Sequence, residues 1–250
     1  MHLFSLFSLA VLAAGCASPV VAPDAAREER WAREIVPQVV VGDAVWLATS
    51  QRANVLALYS EPTQPAKGGI VLVHGLGVHP DWGLNGALRV ALADRGFATL
   101  SVQMPVFAAD ALRESYSALF PIAGERLSAA VAFLQSKGHG RIAVVSHSLG
   151  AAMASAYLAA AKGKAIVAWI PVGMLVDFAS VPKMPVLDVV AEHDFPEALT
   201  SVRARARQRP RDRCSGEVRI AATDHYFANA TGALIDAIVP FVERAFRDDC

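Results

Sequence analysis

Charge is scarce in this sequence. Only 18% of its 250 residues are charged, and 23 basic residues balance 23 acidic ones. A chain without net charge offers no global field to a polyanion, so no nucleic-acid partner is expected. The glycine patterns that cradle nucleotides are missing as well. Neither G-x-G-x-x-G nor G-x-x-x-x-G-K-S/T occurs, and no nucleotide cofactor is expected. No His, Cys or Asp cluster has metal-ligand spacing, which removes a metal centre from the expectations. Cysteine is limited to three residues, Cys16, Cys214 and Cys250. What is plentiful is apolar surface: 54% of the chain is hydrophobic, enough for one continuous core and contrary to disorder.

The N-terminal apolar run, Leu3 to Ala14, is too short to remain in a bilayer as a helix. It resembles a bacterial export signal, and A-A-G-C ending at Cys16 resembles a lipobox, in which Gly15–Cys16 is cleaved and Cys16 carries the lipid. Ala13 stands where Leu is commoner, and Met1–His2 brings no Lys or Arg; cleavage after Ala17 is the alternative. The expectation is an exported protein with residues 1–16 as signal and 17–38 as a tether holding a short helix. A lipid anchor would hold it in the periplasm at the outer membrane, since Ala17 and Ser18 lack the aspartate of inner-membrane retention. Cys214 and Cys250 then remain as an even pair in an oxidising compartment. Cys214 precedes a strand expected at 217–221 and the last helix runs back to Cys250, so both should sit at one end of the sheet. A disulfide is expected there, two free thiols being the alternative.

Two extended stretches, 39–48 and 54–59, read as an antiparallel hairpin or edge pair. From Gly69 onward strand and helix patterns alternate. Strands are expected at 70–73, 97–102, 142–145, 166–170, 186–190 and 218–221. Helices are expected at 84–95, 123–137, 149–161, from about 196, and at 231–247. Apolar strands alternating with helices predict a mostly parallel sheet covered on both faces. No linker divides 39–250, which reads as one domain.

The strongest chemical signal is S-H-S-L-G, Ser146 to Gly150, between strand R-I-A-V-V and helix L-G-A-A-M-A-S-A-Y. It resembles the nucleophile elbow of α/β-hydrolases, usually G-x-S-x-G, with Ser146 in place of the first glycine. A sharp strand-to-helix turn there would point Ser148 out of the sheet and aim the helix amides at a developing oxyanion. The plainer reading is an N-cap serine. I-V-L-V-H-G-L-G, Ile70 to Gly77, resembles the loop after the third strand of that fold. The resemblance makes the N–H groups of Leu76 and Leu149 oxyanion donors, with Gly75 beside them and His74 structural. A-E-H-D-F-P after V-L-D-V-V matches the acid position; Asp194 is preferred, with Glu192 and Asp177 as competitors. A-A-T-D-H-Y-F places His225 where the family keeps its base. His147 and His193 read as loop packing.

More narrowly, V-H-G-L-G-V-H-P-D-W-G-L-N-G-A-L followed by T-L-S-V-Q-M-P, with L-D-V-V-A-E-H-D-F-P-E, resembles the bacterial DUF3530 family of α/β-hydrolases. The resemblance implies an α/β-hydrolase fold, which fits the expected mostly parallel sheet, helices on both faces and N-terminal antiparallel edge; the short spacing between the strands at 166 and 186 leaves no room for a large cap domain. The set Ser148, Asp194 and His225 points to hydrolysis of a carboxylic ester or thioester of a small acyl substrate through an acyl-enzyme, with peptidase or acyltransferase activity as chemical neighbours. A non-catalytic envelope binding or assembly module on the same fold is the alternative. His79, Asp81 and Trp82 are expected beside the pocket, with Asp81 orienting a polar group or capping the next helix. Met104 to Pro121 is the candidate lid. The six alternating arginines from Arg203 to Arg213 read as a solvated face or as a contact for anionic lipid.

Overall fold

The computed structural model describes residues 21–160 and 165–250; the export signal and the lipidation expected at Cys16 lie outside them. The strands are β1 Asp43–Leu47, β2 Val55–Ser60, β3 Gly69–Val73, β4 Ala98–Val102, β5 Ile142–His147, β6 Ile166–Val172, β7 Leu187–His193 and β8 Gly216–Asp224. They form one sheet in the order β1-β2-β4-β3-β5-β6-β7-β8. Only the β1–β2 and β2–β4 pairings are antiparallel; from β4 to β8 the sheet is parallel.

Parallel strands need crossovers, and helices supply them on both faces. The helices are α1 Ala25–Ile35, α2 Gly83–Asp94, α3 Phe120–Ser136, α4 Leu149–Ala159, α5 Pro196–Arg205 and α6 Thr231–Phe246. Successive side chains on a strand alternate faces. Val71, Val73 and Val144 therefore pack with Leu127 and Leu134 of α3 and Met153 of α4. Ile70, Leu72 and Val145 pack with Leu88 and Leu92 of α2 and Ile238 and Val242 of α6. Because both faces are covered, G-I-V-L-V is buried throughout and reads as an unbroken apolar run.

Residues 25–35, the short helix expected within the tether, form α1, which packs against β2. Asp24 caps α1 by accepting from Arg27 N–H at 2.9 Å. Glu28, Ala32 and Ile35 recur at helical spacing and turn inward. Ala32 and Ile35 cover Leu56 and Leu58. Buried Glu28 pairs with Arg126 of α3 at 3.0 Å and with Arg52 at 3.1 Å. Burial raises the Glu28 carboxyl, and the two arginines work against that rise.

Cys214 and Cys250 form the expected disulfide, with Cα atoms 5.2 Å apart. The segment 173–186 joining β6 to β7 carries no helix or strand, so there is no inserted cap at that position. The arginine run is not one solvated face. Arg205 is fully buried and grips Asp188, while Arg203, Arg207, Arg211 and Arg213 are exposed.

Candidate active site

The carboxyl ends of β5, β7 and β8 bring three side chains together. β5 runs into Ser148, whose backbone has φ 55 and ψ −122, and α4 begins at the next residue. A non-glycine residue there is strained, and the turn persists because its neighbours over-determine it. Ser148 N–H donates to Val172 C=O at 2.9 Å, which ties the turn to β6. A Cβ on Gly150 would lie 2.3 Å from His74 O, so this position has no room for a side chain. Ser146 is tolerated at the other small-residue position and is used: its Oγ accepts from the Trp169 indole N–H at 2.9 Å.

His225 follows β8 and faces Ser148, with Nε2 2.9 Å from Oγ. Its Nδ1 lies 2.6 Å from Oδ1 of Asp194, which follows β7. Asp194 also accepts from the amides of Ala191 at 3.1 Å and Phe195 at 2.8 Å. Burial alone would raise this carboxyl, but its bonds to His225, Ala191 and Phe195 outweigh burial and hold it below the usual range. The competitors for the acid fall elsewhere. Glu192 is exposed and accepts from Ala222 N–H at 2.7 Å, and Asp177 is exposed.

Other groups hold the imidazole in place. Phe195 stacks on His225 with ring centroids 4.2 Å apart. The partly buried His147 places Nε2 2.8 Å from His225 C=O, and the rings lie 4.9 Å apart. Desolvation first, and the neighbouring His225 second, lower His147 to about 4, so it is neutral and its Nε2–H donates to that carbonyl. Gly173, at φ 58 just past β6, abuts the pair; a Cβ there would sit 3.1 Å from His225 Nδ1. Sequence reading missed Phe195 and Gly173. The glycine directly after strand I-V-A-W-I-P-V was the available signal.

The loop after β3 packs against the turn at Ser148. His74 is buried; its Nε2 accepts from Met104 N–H at 2.8 Å and its Nδ1 lies 2.9 Å from Gly75 C=O. Burial pushes it down to about 3, so it is a neutral structural residue. Gly75 lies against the Ser148 turn, where a Cβ would be 3.2 Å from Ser148 Cβ. Leu76 and Leu149 line the cleft beside Ser148.

That cleft has a volume of about 680 Å³, with Leu84, Leu149, Leu175, Val176, Phe195 and Phe227 in its largely apolar wall. Gly75 and Trp82 line it; His79 and Asp81 do not. His79 is held between Trp31 and Trp82, with centroids 5.7 and 5.6 Å away. Asp81 neither caps α2, whose N-cap is Trp82, nor faces the cleft; its carboxylate accepts from Arg89 at 2.8 Å. Nor does Met104 to Pro121 form a free lid. Met104, Val106, Tyr116 and Leu119 are buried in the core, and only Arg113 of this stretch reaches the cleft.

Comparison with known proteins agrees with this architecture. Residues 70–248 match the family described as alpha/beta hydrolase family, and the chain belongs to it. Residues 5–123 match a second family, described as protein of unknown function (DUF3530). No curated protein sequence gives a match. Among solved structures, Est1E from Butyrivibrio proteoclasticus is similar with a TM-score of 0.65 and 15% identity, covering 82% of this chain and 99% of that one. A thermophilic esterase from Thermogutta terrifontis gives a TM-score of 0.62 and 14% identity, over 82% of this chain and 100% of its own. Proline iminopeptidase from Mycobacterium smegmatis gives 0.66 and 10%, over 83% and 100%. Identities this low establish the shared fold.

Proposed function

We propose that this α/β-hydrolase is a serine hydrolase that cleaves a carboxylic ester or thioester, with Ser148 as nucleophile. The single observation that carries the reading is the unbroken chain from Ser148 Oγ to His225 Nε2 at 2.9 Å and from Nδ1 to Asp194 at 2.6 Å. His225 removes the Ser148 proton as Oγ attacks the acyl carbonyl. Asp194 fixes the imidazole tautomer and stabilises the imidazolium. The N–H groups of Leu76 and Leu149 receive the oxyanion, a contribution of several kcal/mol in sites of this kind. Collapse of the tetrahedral adduct expels the alcohol or thiol, which takes the proton from His225. Water activated by the same imidazole then releases the acid. The apolar cleft wall supports an acyl substrate.

Fluorophosphonate labelling of the full chain tests the reading. Wild type is expected to label at Ser148, while Ser148→Ala and His225→Ala do not. A folded wild-type protein that stays unlabelled overturns it and favours a binding module on the same fold. We also propose export and anchoring through lipidated Cys16. The Cys214–Cys250 disulfide supports an oxidising compartment. Mass spectrometry of the mature N-terminus is expected to find a diacylglyceryl group on Cys16; an unmodified Ser18 terminus overturns the anchor.

A further inference from the structure

The cleft beside Ser148 is apolar over most of its wall, yet the polar groups it contains beyond the triad share one character. Among the described residues, its lining includes no Asp or Glu. It includes Arg113, exposed at the start of a short 3-10 helix over Arg113–Leu119, and Asn85, in the first turn of α2. Asn85 is only 4% exposed, and its Nδ2 has no hydrogen-bond partner. A buried amide donor left unmade costs about 1–3 kcal/mol. The helix gives no reason for it, because Asn is a mediocre helix former and the N-cap position belongs to Trp82. Two further helices open on the same cleft: α4 from Leu149, and α6 from Thr231, which has no side-chain cap. Helix N-termini carry partial positive charge and free N–H groups.

A pocket supplied with an unpartnered buried donor, a cation and helix N-termini, and lacking any carboxylate in its lining, is matched to an acceptor-rich anion. We propose that the substrate is an ester whose non-reacting end carries an anionic oxygen group, carboxylate or phosphate, bound in the cleft by Asn85 and Arg113. This rests on the serine-hydrolase reading and narrows it. Arg113 supplies the charge and Asn85 the directed hydrogen bond, while the apolar wall takes the methylene chain between the anion and the reacting carbonyl. Charge-assisted hydrogen bonds of this kind are about twice as strong as neutral ones.

Three p-nitrophenyl esters of equal acyl length test it: the neutral hexanoate, the adipate monoester, and the 6-phosphonooxyhexanoate. At low salt, wild type is expected to show kcat/KM about tenfold higher for one anionic ester than for hexanoate. The larger of the two anionic ratios identifies carboxylate or phosphate. That ratio should fall toward one in Arg113→Met and in Asn85→Leu, and should shrink with added salt. Arg203→Met, at an exposed arginine outside the cleft lining, should keep it. Arg113 is a surface position, so its variant tests the idea even where Asn85→Leu does not fold. A wild-type ratio at or below one for both anionic esters overturns the proposal, as does a ratio that survives both substitutions. If fluorophosphonate labels Ser148 while the ratio stays flat, only the anionic substrate is lost. If neither labelling nor hexanoate turnover occurs, the serine-hydrolase reading falls with it.

Discussion

Two buried carboxylates stand at opposite ends of the same strand, and they have opposite fates. Asp188 lies at the start of β7, where Arg205 grips both its oxygens, Nε at 2.8 Å and NH2 at 2.9 Å. The remaining guanidinium nitrogen donates to the carbonyls of Met174 and Val176. Asp194 lies just past the end of β7 and is equally well hydrogen-bonded, but its partner is His225. Both carboxylates are buried and hydrogen-bonded; their partners differ in kind. A guanidinium never surrenders its proton in a protein, so the Asp188 pair is closed and can only hold structure. An imidazole has a second nitrogen and an ordinary pKa near neutrality, so the Asp194 pair opens onto Ser148 and can move a proton.

Breaking the open pair should have the largest effect. Asp194→Asn is expected to lower kcat for an activated ester on the order of 10⁴-fold while the protein stays folded, since the tautomer of His225 is lost. A loss under tenfold would place Asp194 among the merely structural groups. Breaking the closed pair should act on stability instead. Arg205→Met leaves Asp188 buried without a partner and is expected to cost about 3–5 kcal/mol in urea denaturation. The double variant Asp188→Leu with Arg205→Met should recover most of that, because replacing both partners removes the stranded charge.

A third test extends the contrast to the histidines. His74 is held at about 3 by burial, below its ordinary value of 6.5. The unfolded chain therefore binds this proton as pH falls through 6.5, while the fold refuses it until about 3. Stability from this group is intact above 6.5 and declines below it. By pH 4.5 the loss should reach about 2–3 kcal/mol. Thermal unfolding at pH 7 and 4.5 should show it, and His74→Gln should lessen the difference. The smallest effect is expected from Ser146→Gly. It restores the commoner elbow residue but strands the Trp169 indole, at a cost of about 1 kcal/mol. A variant that gained stability would show the indole bond to be dispensable.

Local rules made much of this legible. The strand–turn–helix signal around Ser148 could be read because a sharp elbow constrains residues within two positions of it, and Gly150 meets that constraint. Asp194 and His225 were readable for a similar reason, each standing just after a strand at the edge where the sheet presents its chemistry. The misreadings came from residues whose partners are far away in the chain. Asp81 looked like a cap or pocket residue until Arg89 claimed it, and Arg89 is itself aligned by contacts to Ser60 and the Val41 carbonyl. Met104 to Pro121 read as a lid because its apolar side chains had no visible destination. The core beneath α3 is that destination.

By itself, then, the sequence determined the run of strands and helices, the strained serine turn and the cysteine pair, because periodicity, small-residue spacing and compartment chemistry act locally. Tertiary structure decided which of three carboxylates reaches His225, that α1 docks through Glu28 onto Arg126 almost a hundred residues away, and that Asn85 rather than Asp81 borders the cleft. Those choices depend on which groups packing brings within hydrogen-bond reach, a matter of distance in space that spacing along the chain does not specify.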